Sequence, residues 1–132
     1  MSEENVELLH QLTAAWNRRD LDGYLALMDP EIDLYPGAVR VEGGAYQGHD
    51  GIKRFWADVY ASWDELVGNI EEVRDLGDVV VGLGRVRGRS KGGIPIDTEY
   101  GVVLRWRDGL VVWASDWYSH AEALEEAAGL RE

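Results

Sequence analysis

Apolar positions first recur at helical spacing from Val6 through Leu9 and Thr13 to Trp16, with Leu8, Leu12 and Ala15 widening the stripe. Steps of three and four residues put these side chains on one face of an α-helix. Ser2 is a candidate cap, and Glu3 and Glu4 set negative charge at the positive end of the dipole. Asp20 is a second cap candidate, for a short helix through Tyr24, Leu25 and Met28 that Asp29-Pro30 stops. A short strand around Ile32 to Tyr35 follows, then a glycine-rich loop from Pro36 to Gly48 in which Gly43-Gly44 reads as a turn. The broadest helical face comes next, through Ile52, Phe55, Trp56, Val59, Tyr60 and Trp63, with Asp50 as a cap near its start.

Beyond that helix the pattern changes to strands. Leu66 to Leu76, Asp78 to Arg89, Pro95 to Arg107 and Leu110 to Tyr118 form four segments. Gly77-Asp78, Lys91-Gly92-Gly93 and Asp108-Gly109 supply the turn residues that hairpins need. A helical tail, Ala121 to Ala128, closes the chain before Gly129. The order helix, helix, short strand, helix and a four-strand meander predicts an α+β fold. In the third long strand Thr98, Tyr100, Val102, Leu104 and Trp106 form the set expected to face the helices, against Asp97, Glu99, Arg105 and Arg107. In the last strand Val112, Ala114, Asp116 and Tyr118 alternate with Val111, Trp113, Ser115 and Trp117. Neither set is purely polar. Trp113 and Trp117 on an outer face would leave a large apolar patch, so a homodimer through the outer face of the sheet is expected.

A chain of 132 residues suits one domain, residues 1–132. Six Trp and six Tyr stand beside one Phe. Their apolar bodies and polar tips suit a greasy cavity that also forms hydrogen bonds, although core filling, with a few at a subunit interface, is the plainer reading of any single one. A net charge of −12 repels phosphate backbones and argues against nucleic acid. No basic amphipathic stretch or long apolar run suggests a membrane, and the acidic start is unlike a secretory signal, so a cytoplasmic protein is expected. The absence of cysteine excludes disulfides and thiol nucleophiles. His10, His49 and His120 are scattered, and His49 reads as a residue near a helix cap. No metal and no cofactor are expected.

Asp116 is the foremost candidate for chemistry. A carboxylate among Val112, Ala114 and Tyr118, on the side expected to face a cavity, is placed to shuttle protons. It could instead pair with Arg85 or Arg87 of another strand, or face solvent if the register slips by one residue. Arg85 and Arg87 are placed to grip a developing negative charge if they point inward, and are solvated strand ends if the strand has run past the core. Tyr118, Tyr100, Trp106, Trp56 and Tyr60 are the candidates for shaping the cavity, and Tyr24 and Tyr46 are further possible hydroxyls.

Three strings carry a family resemblance. The first runs from Trp16-Asn17 through Asp20-Leu21-Asp22-Gly23 and Leu27 to Asp29-Pro30-Glu31-Ile32. The second is Tyr46-Gln47-Gly48-His49-Asp50-Gly51-Ile52 leading to Phe55-Trp56. The third is Asp108-Gly109-Leu110-Val111-Val112, followed by Ala121-Glu122-Ala123-Leu124 and Ala128-Gly129-Leu130. In these the chain resembles the superfamily of nuclear transport factor two, ketosteroid isomerases, SnoaL-like polyketide cyclases and limonene epoxide hydrolases. The resemblance implies a cystatin-like cone, a curved antiparallel sheet wrapped around helices and enclosing a hydrophobic pocket. It implies function only coarsely, because one cone hosts many chemistries. Pro36, Leu12 and Val102 fall where isomerases carry their base and oxyanion donors. Asp116 matches one hydrolase aspartate, whereas Leu83-Gly84-Arg85, Leu34 and Pro36 fall on the other hydrolase positions. SnoaL-like cyclases need chiefly one acid/base aspartate, a role open to Asp116. The resemblance thus implies a small apolar ligand. The chain is then either a cofactor-free isomerase, cyclase or hydrolase acting on a carbonyl compound, or a non-catalytic binding or dimeric interaction module.

Overall fold

A computed structural model describes residues 2–37 and 45–131. The glycine-rich stretch and the Gly43-Gly44 turn expected within it fall largely outside those residues, and so does the side chain of Ser2. Helix α1 spans Ser2–Asn17, and α2, Leu21–Leu25, follows at once. Asp20 caps α2 as expected, its carboxylate accepting from the Gly23 N–H at 2.9 Å. That bond, with Arg18 alongside, holds the Asp20 carboxyl below its usual range.

Strand β1 covers Met28–Tyr35 and β2 the two residues Tyr46–Gln47; α3 is Gly48–Ser62. Four long strands complete the sheet: β3 Trp63–Asp75, β4 Val79–Ser90, β5 Pro95–Arg107 and β6 Leu110–Trp117. Helix α4, His120–Arg131, ends the chain and runs through Gly129. Asp29-Pro30 lies inside β1 rather than ending the preceding helix. Gln47, not Asp50, occupies the N-cap of α3, without a side-chain cap bond. Trp63 is the C-cap of α3, its N–H bonded to the Val59 carbonyl, and at the same time begins β3.

The sheet order is β2-β1-β6-β5-β4-β3. One neighbour relation departs from the antiparallel expectation, because β1 runs parallel to β6. A crossover through α3 and the meander returns β6 beside β1, a long-range pairing that local patterning does not display. The hairpin turns match their residues. Asp108 and Gly109 both adopt positive φ, 55° and 78°, which matches the twist of two-residue hairpins.

Helices α1, α2 and α3 cover the concave side. Leu9, Leu12, Ala15, Leu25, Met28, Ile32, Ile52 and Trp56 pack there against Val80, Leu104, Trp106, Val111 and Ala114. A β-bulge between Arg105 and Trp106 turns Val111 inward, although alternation alone sets it with Trp113 outside. On the convex side Val79, Val81, Leu83 and Val103 meet Ala123 and Ala127 of α4. Trp113 and Trp117 are half-buried against this second cluster. Part of the outer face that the sequence leaves for a second copy is therefore occupied by the chain's own C-terminal helix.

Candidate functional site

The concave side is not completely filled. A cavity of about 320 Å³ lies between α1, α2, α3 and the sheet. Leu9, Leu12, Trp16, Met28, Leu34, Phe55, Val102 and Leu104 make most of its wall apolar. Polar groups enter from a few places. Asp116 of β6, Tyr100 of β5, Tyr24 of α2 and Tyr118 line one region, and Tyr46, Asp58 and Ser62 line another, where Tyr46 Oη donates to Asp58 Oδ2 at 2.6 Å.

Asp116 sits on the cavity side because Ala114 and Asp116 oppose Leu104 and Val102, the inward residues of β5. It is 9% exposed, and its Oδ1 accepts from the Gly37 N–H at 2.7 Å. A Cβ added at Gly37 would stand 3.0 Å from the Asp116 carbonyl oxygen, so a glycine allows this close approach. The register therefore holds, and Asp116 does not face bulk solvent.

The tyrosines around it report on its charge. Burial pushes the Tyr24 hydroxyl well up, and the neighbouring Asp116 charge adds to the effect. Tyr100 is also raised well above the usual phenol range, first by burial and then by Asp116, with which it hydrogen-bonds. Tyr118 is pushed up to about 12 by the same two causes, although 48% of its surface is exposed at the rim. An adjacent anion disfavours a second one, so these phenols remain protonated donors at neutral pH. The arrangement joins one carboxylate to three hydroxyls in an apolar enclosure, a set suited to moving or holding a proton.

Of the sequence candidates, the fold brings Asp116, Tyr100 and Tyr118 together on the cavity wall. Trp56, Tyr60, Trp106 and Arg85 are not among its lining residues. Trp56 is 7% exposed and packs behind the wall against Trp16 and Tyr24. Tyr60 stacks on Trp16 at 5.6 Å, with the Arg19 guanidinium 4.1 Å above its ring. Trp106 is 4% exposed and borders a separate acidic depression with Asp75, Asp78 and Asp108. Arg85 occupies the convex side with Leu83 and Arg87, where its Nε donates to Asp97 Oδ1 at 2.8 Å. Strand alternation decides this: Gly84 and Val86, not Arg85, take the concave positions.

Two wall residues carry more of the site than the sequence signalled. Trp16 donates its Nε1–H to the Leu66 carbonyl at 2.9 Å and touches the rings of Tyr24, Phe55, Trp56 and Tyr60. Tyr24 is 9% exposed and reaches the cavity from α2. Their only local sign is an aromatic residue on the apolar face of each helix. His49 is structural, bonding through Nε2 to the Met28 carbonyl at 2.9 Å. Among the described residues no cluster of three or more His, Asp or Glu is arranged to hold a metal ion, and no helix is long and apolar enough to cross a membrane.

The SnoaL-like domain model matches residues 9–114. No curated protein matches the chain. An NTF2-like protein of unknown function from Burkholderia pseudomallei is 26% identical, with a TM-score of 0.81 over 92% of this chain and 95% of that one. TerC, co-crystallised with polyporic acid, is 25% identical, with a TM-score of 0.80 over 95% and 98% of the two chains. A protein from Jannaschia sp. CCS1 assigned to the SnoaL-like polyketide cyclases is 22% identical, with a TM-score of 0.78 over 96% and 92%, and speaks to the fold alone.

Proposed function

Because this chain belongs to the SnoaL-like domain family, we propose that its cavity binds a small, largely apolar carbonyl compound and that Asp116 acts there as a cofactor-free acid/base. One observation carries the reading: a 9% exposed carboxylate on the cavity wall, surrounded by Tyr24, Tyr100 and Tyr118. The Gly37 N–H fixes the direction of the carboxylate. A base held in this way removes a proton from a carbon next to a carbonyl and returns it elsewhere, which serves isomerisation or cyclisation; the same base activates a water for hydration. Protonated phenols nearby offset the negative charge that develops on the ligand oxygen. The co-crystallisation of TerC with polyporic acid supports the binding of an organic ligand by a chain of this shape and similar sequence.

A second reading has its own support. Leu12, Pro36 and Val102, which fall on the isomerase positions, all line the cavity, as does Leu34 from the hydrolase set. Apolar groups stand where those relatives carry chemistry, which favours a binding module without turnover. The test is deuterium exchange at the α-carbons of a panel of apolar ketones in heavy water, comparing wild type with Asp116→Asn. Exchange by wild type that falls by about 10²-fold or more in the variant supports the base. Equal exchange in both removes Asp116 from the chemistry, and a ligand bound unaltered with no exchange at all leaves the binding module.

A further inference from the structure

The acidic depression beside Trp106 has a volume of about 680 Å³ and opens where the β3–β4 and β5–β6 turns meet the start of α1. It shares no lining residue with the cavity that holds Asp116. Glu4, Asp75, Asp78 and Asp108 bring four carboxylates to it, and among the described residues no basic side chain lines it. Arg105 answers one of the four, its Nε 3.7 Å from Asp78 Oδ2. Charge of this kind by itself describes a solvated acidic surface.

Two buried atoms set it apart. Asp75 Oδ1 accepts from the Gly77 N–H at 3.0 Å, and Asn5 Nδ2 donates to the Gly77 carbonyl at 3.2 Å, which ties α1 to the turn. The other carboxylate oxygen, Asp75 Oδ2, is buried and has no hydrogen-bond partner among the described residues. Trp106 is 4% exposed, and its Nε1–H is likewise buried without a partner. Buried polar groups nearly always have one, supplied by protein, water or ligand. Asp75 stands opposite Val80, and Val80 opposite Leu104, both inward residues; Trp106 packs in the same inward cluster. Residues paired across antiparallel strands share a face, so the orphaned acceptor and the orphaned donor lie on one side of the sheet. Both residues line the depression, which Glu4 and Asn5 of α1 complete.

We infer that this depression is a second binding site, for a small organic cation that carries a hydroxyl beside its ammonium group, an amino alcohol. The ammonium donates to Asp75 Oδ2, and the hydroxyl oxygen accepts from the Trp106 Nε1–H. Glu4, Asp78 and Asp108 supply the surrounding negative potential that draws a cation in. Other classes leave one of these groups unmet. A plain amine has no oxygen for the indole N–H. A neutral diol meets both orphaned atoms but not the charge, and an anion is repelled. A metal ion cannot accept from an N–H, and among the described residues no three acids are arranged to hold one. Neither Asp116 nor the cavity takes part.

The experiment titrates ¹⁵N-labelled protein with three probes of one size: 2-aminoethanol, ethylamine and ethylene glycol. The readout is the indole N–H resonance of Trp106, identified by its absence from the spectrum of Trp106→Phe. 2-Aminoethanol should move that resonance saturably, leave the remaining indole signals in place, and bind about tenfold more tightly than either of the other two, which each lack one interaction. Asp75→Asn should weaken 2-aminoethanol about tenfold, the loss of a charge-assisted bond. Glu122→Gln removes the same charge from an exposed position on α4 and should leave the affinity unchanged. The comparison of probes uses wild type alone, so it holds whatever Asp75→Asn does to folding. Three probes of equal affinity, or an equal loss in Asp75→Asn and Glu122→Gln, would reduce the site to general attraction of cations and overturn the inference. A Trp106 resonance that none of the probes moves would overturn it too, as expected if the indole N–H bonds Asp75 directly in solution.

Discussion

Gly101 is where the convex face of the sheet can be tested most sharply. It is buried in β5, paired with Leu83 on one side and Trp117 on the other. A Cβ built there would lie 2.5 Å from the Ala123 methyl of α4 and 3.5 Å from a Leu83 methyl. Carbons pack at about 3.5–4.0 Å, so Gly101→Ala requires α4 to lift by roughly 1 Å or more over this point. Ala123 is 0% exposed, so nothing beside it gives way easily. Overpacking of this kind costs about 1–3 kcal/mol, and the smaller conformational freedom of unfolded alanine offsets about 0.4–1 kcal/mol. The net loss should be about 1–2 kcal/mol, a fall in Tm of roughly 3–8 °C for a domain of this size. Urea unfolding of Gly101→Ala, Ala123→Gly and the double variant measures the collision directly. Ala123→Gly alone should cost about 1 kcal/mol as a glycine within a helix, yet it removes the methyl that the new side chain at position 101 strikes. The double variant should therefore be more stable than the two single losses predict, by about 1 kcal/mol or more. Additive losses, or a Gly101→Ala protein within about 0.5 kcal/mol of wild type, would mean that α4 does not rest against its own sheet in solution.

Alkaline pH reads the tyrosine cluster. Below about pH 10 the tyrosines are protonated whether the chain is folded or not. Above it the unfolded chain ionises first, because Tyr24, Tyr100 and Tyr118 are raised in the fold, so stability should fall as pH climbs from 10 through about 12. Ultraviolet absorbance of the phenolates should show these three ionising only as the circular dichroism of the fold is lost; six tyrosines titrating near pH 10 in an intact fold would contradict it. Arg85→Ala tests the outer placement of that residue. Its pair with Asp97 is about half exposed on each side, so the change should leave the unfolding midpoint close to wild type and the deuterium exchange of the ketone panel unchanged. A tenfold loss of exchange would put Arg85 at the ligand.

Much of the architecture is written locally. The Leu9, Leu12 and Trp16 stripe, the Asp20 cap and the Asp108-Gly109 turn each require only a few neighbouring residues, and each takes its expected place. Asp116 and Tyr100 are legible for the same reason, since alternation on β5 and β6 puts Val102, Leu104 and Ala114 on one face with them. The same rule applied to β4 excludes Arg85 from the cavity once Val80 and Val86 are recognised as inward. Which of two alternating sets faces inward depends on the element packed against it, and a mostly apolar strand does not declare that by itself.

Sequence therefore determined the order of the helices and long strands, though not the two-residue β2 inside the expected loop, and the two-faced strands with a carboxylate on an inward face, because helix and strand periods are local properties of the backbone. Tertiary structure alone decided the parallel return of β6 to β1, the bulge that turns Val111 inward and the seating of α4 over Val81 and Val103. It also decided which aromatics touch the cavity. Tyr24 and Trp16 reach it while Trp56 and Trp106 do not, and all four sit on apolar faces. Periodicity assigns a side chain to a face. Only packing between elements distant in the chain determines whether that face is filled, or left open for a ligand.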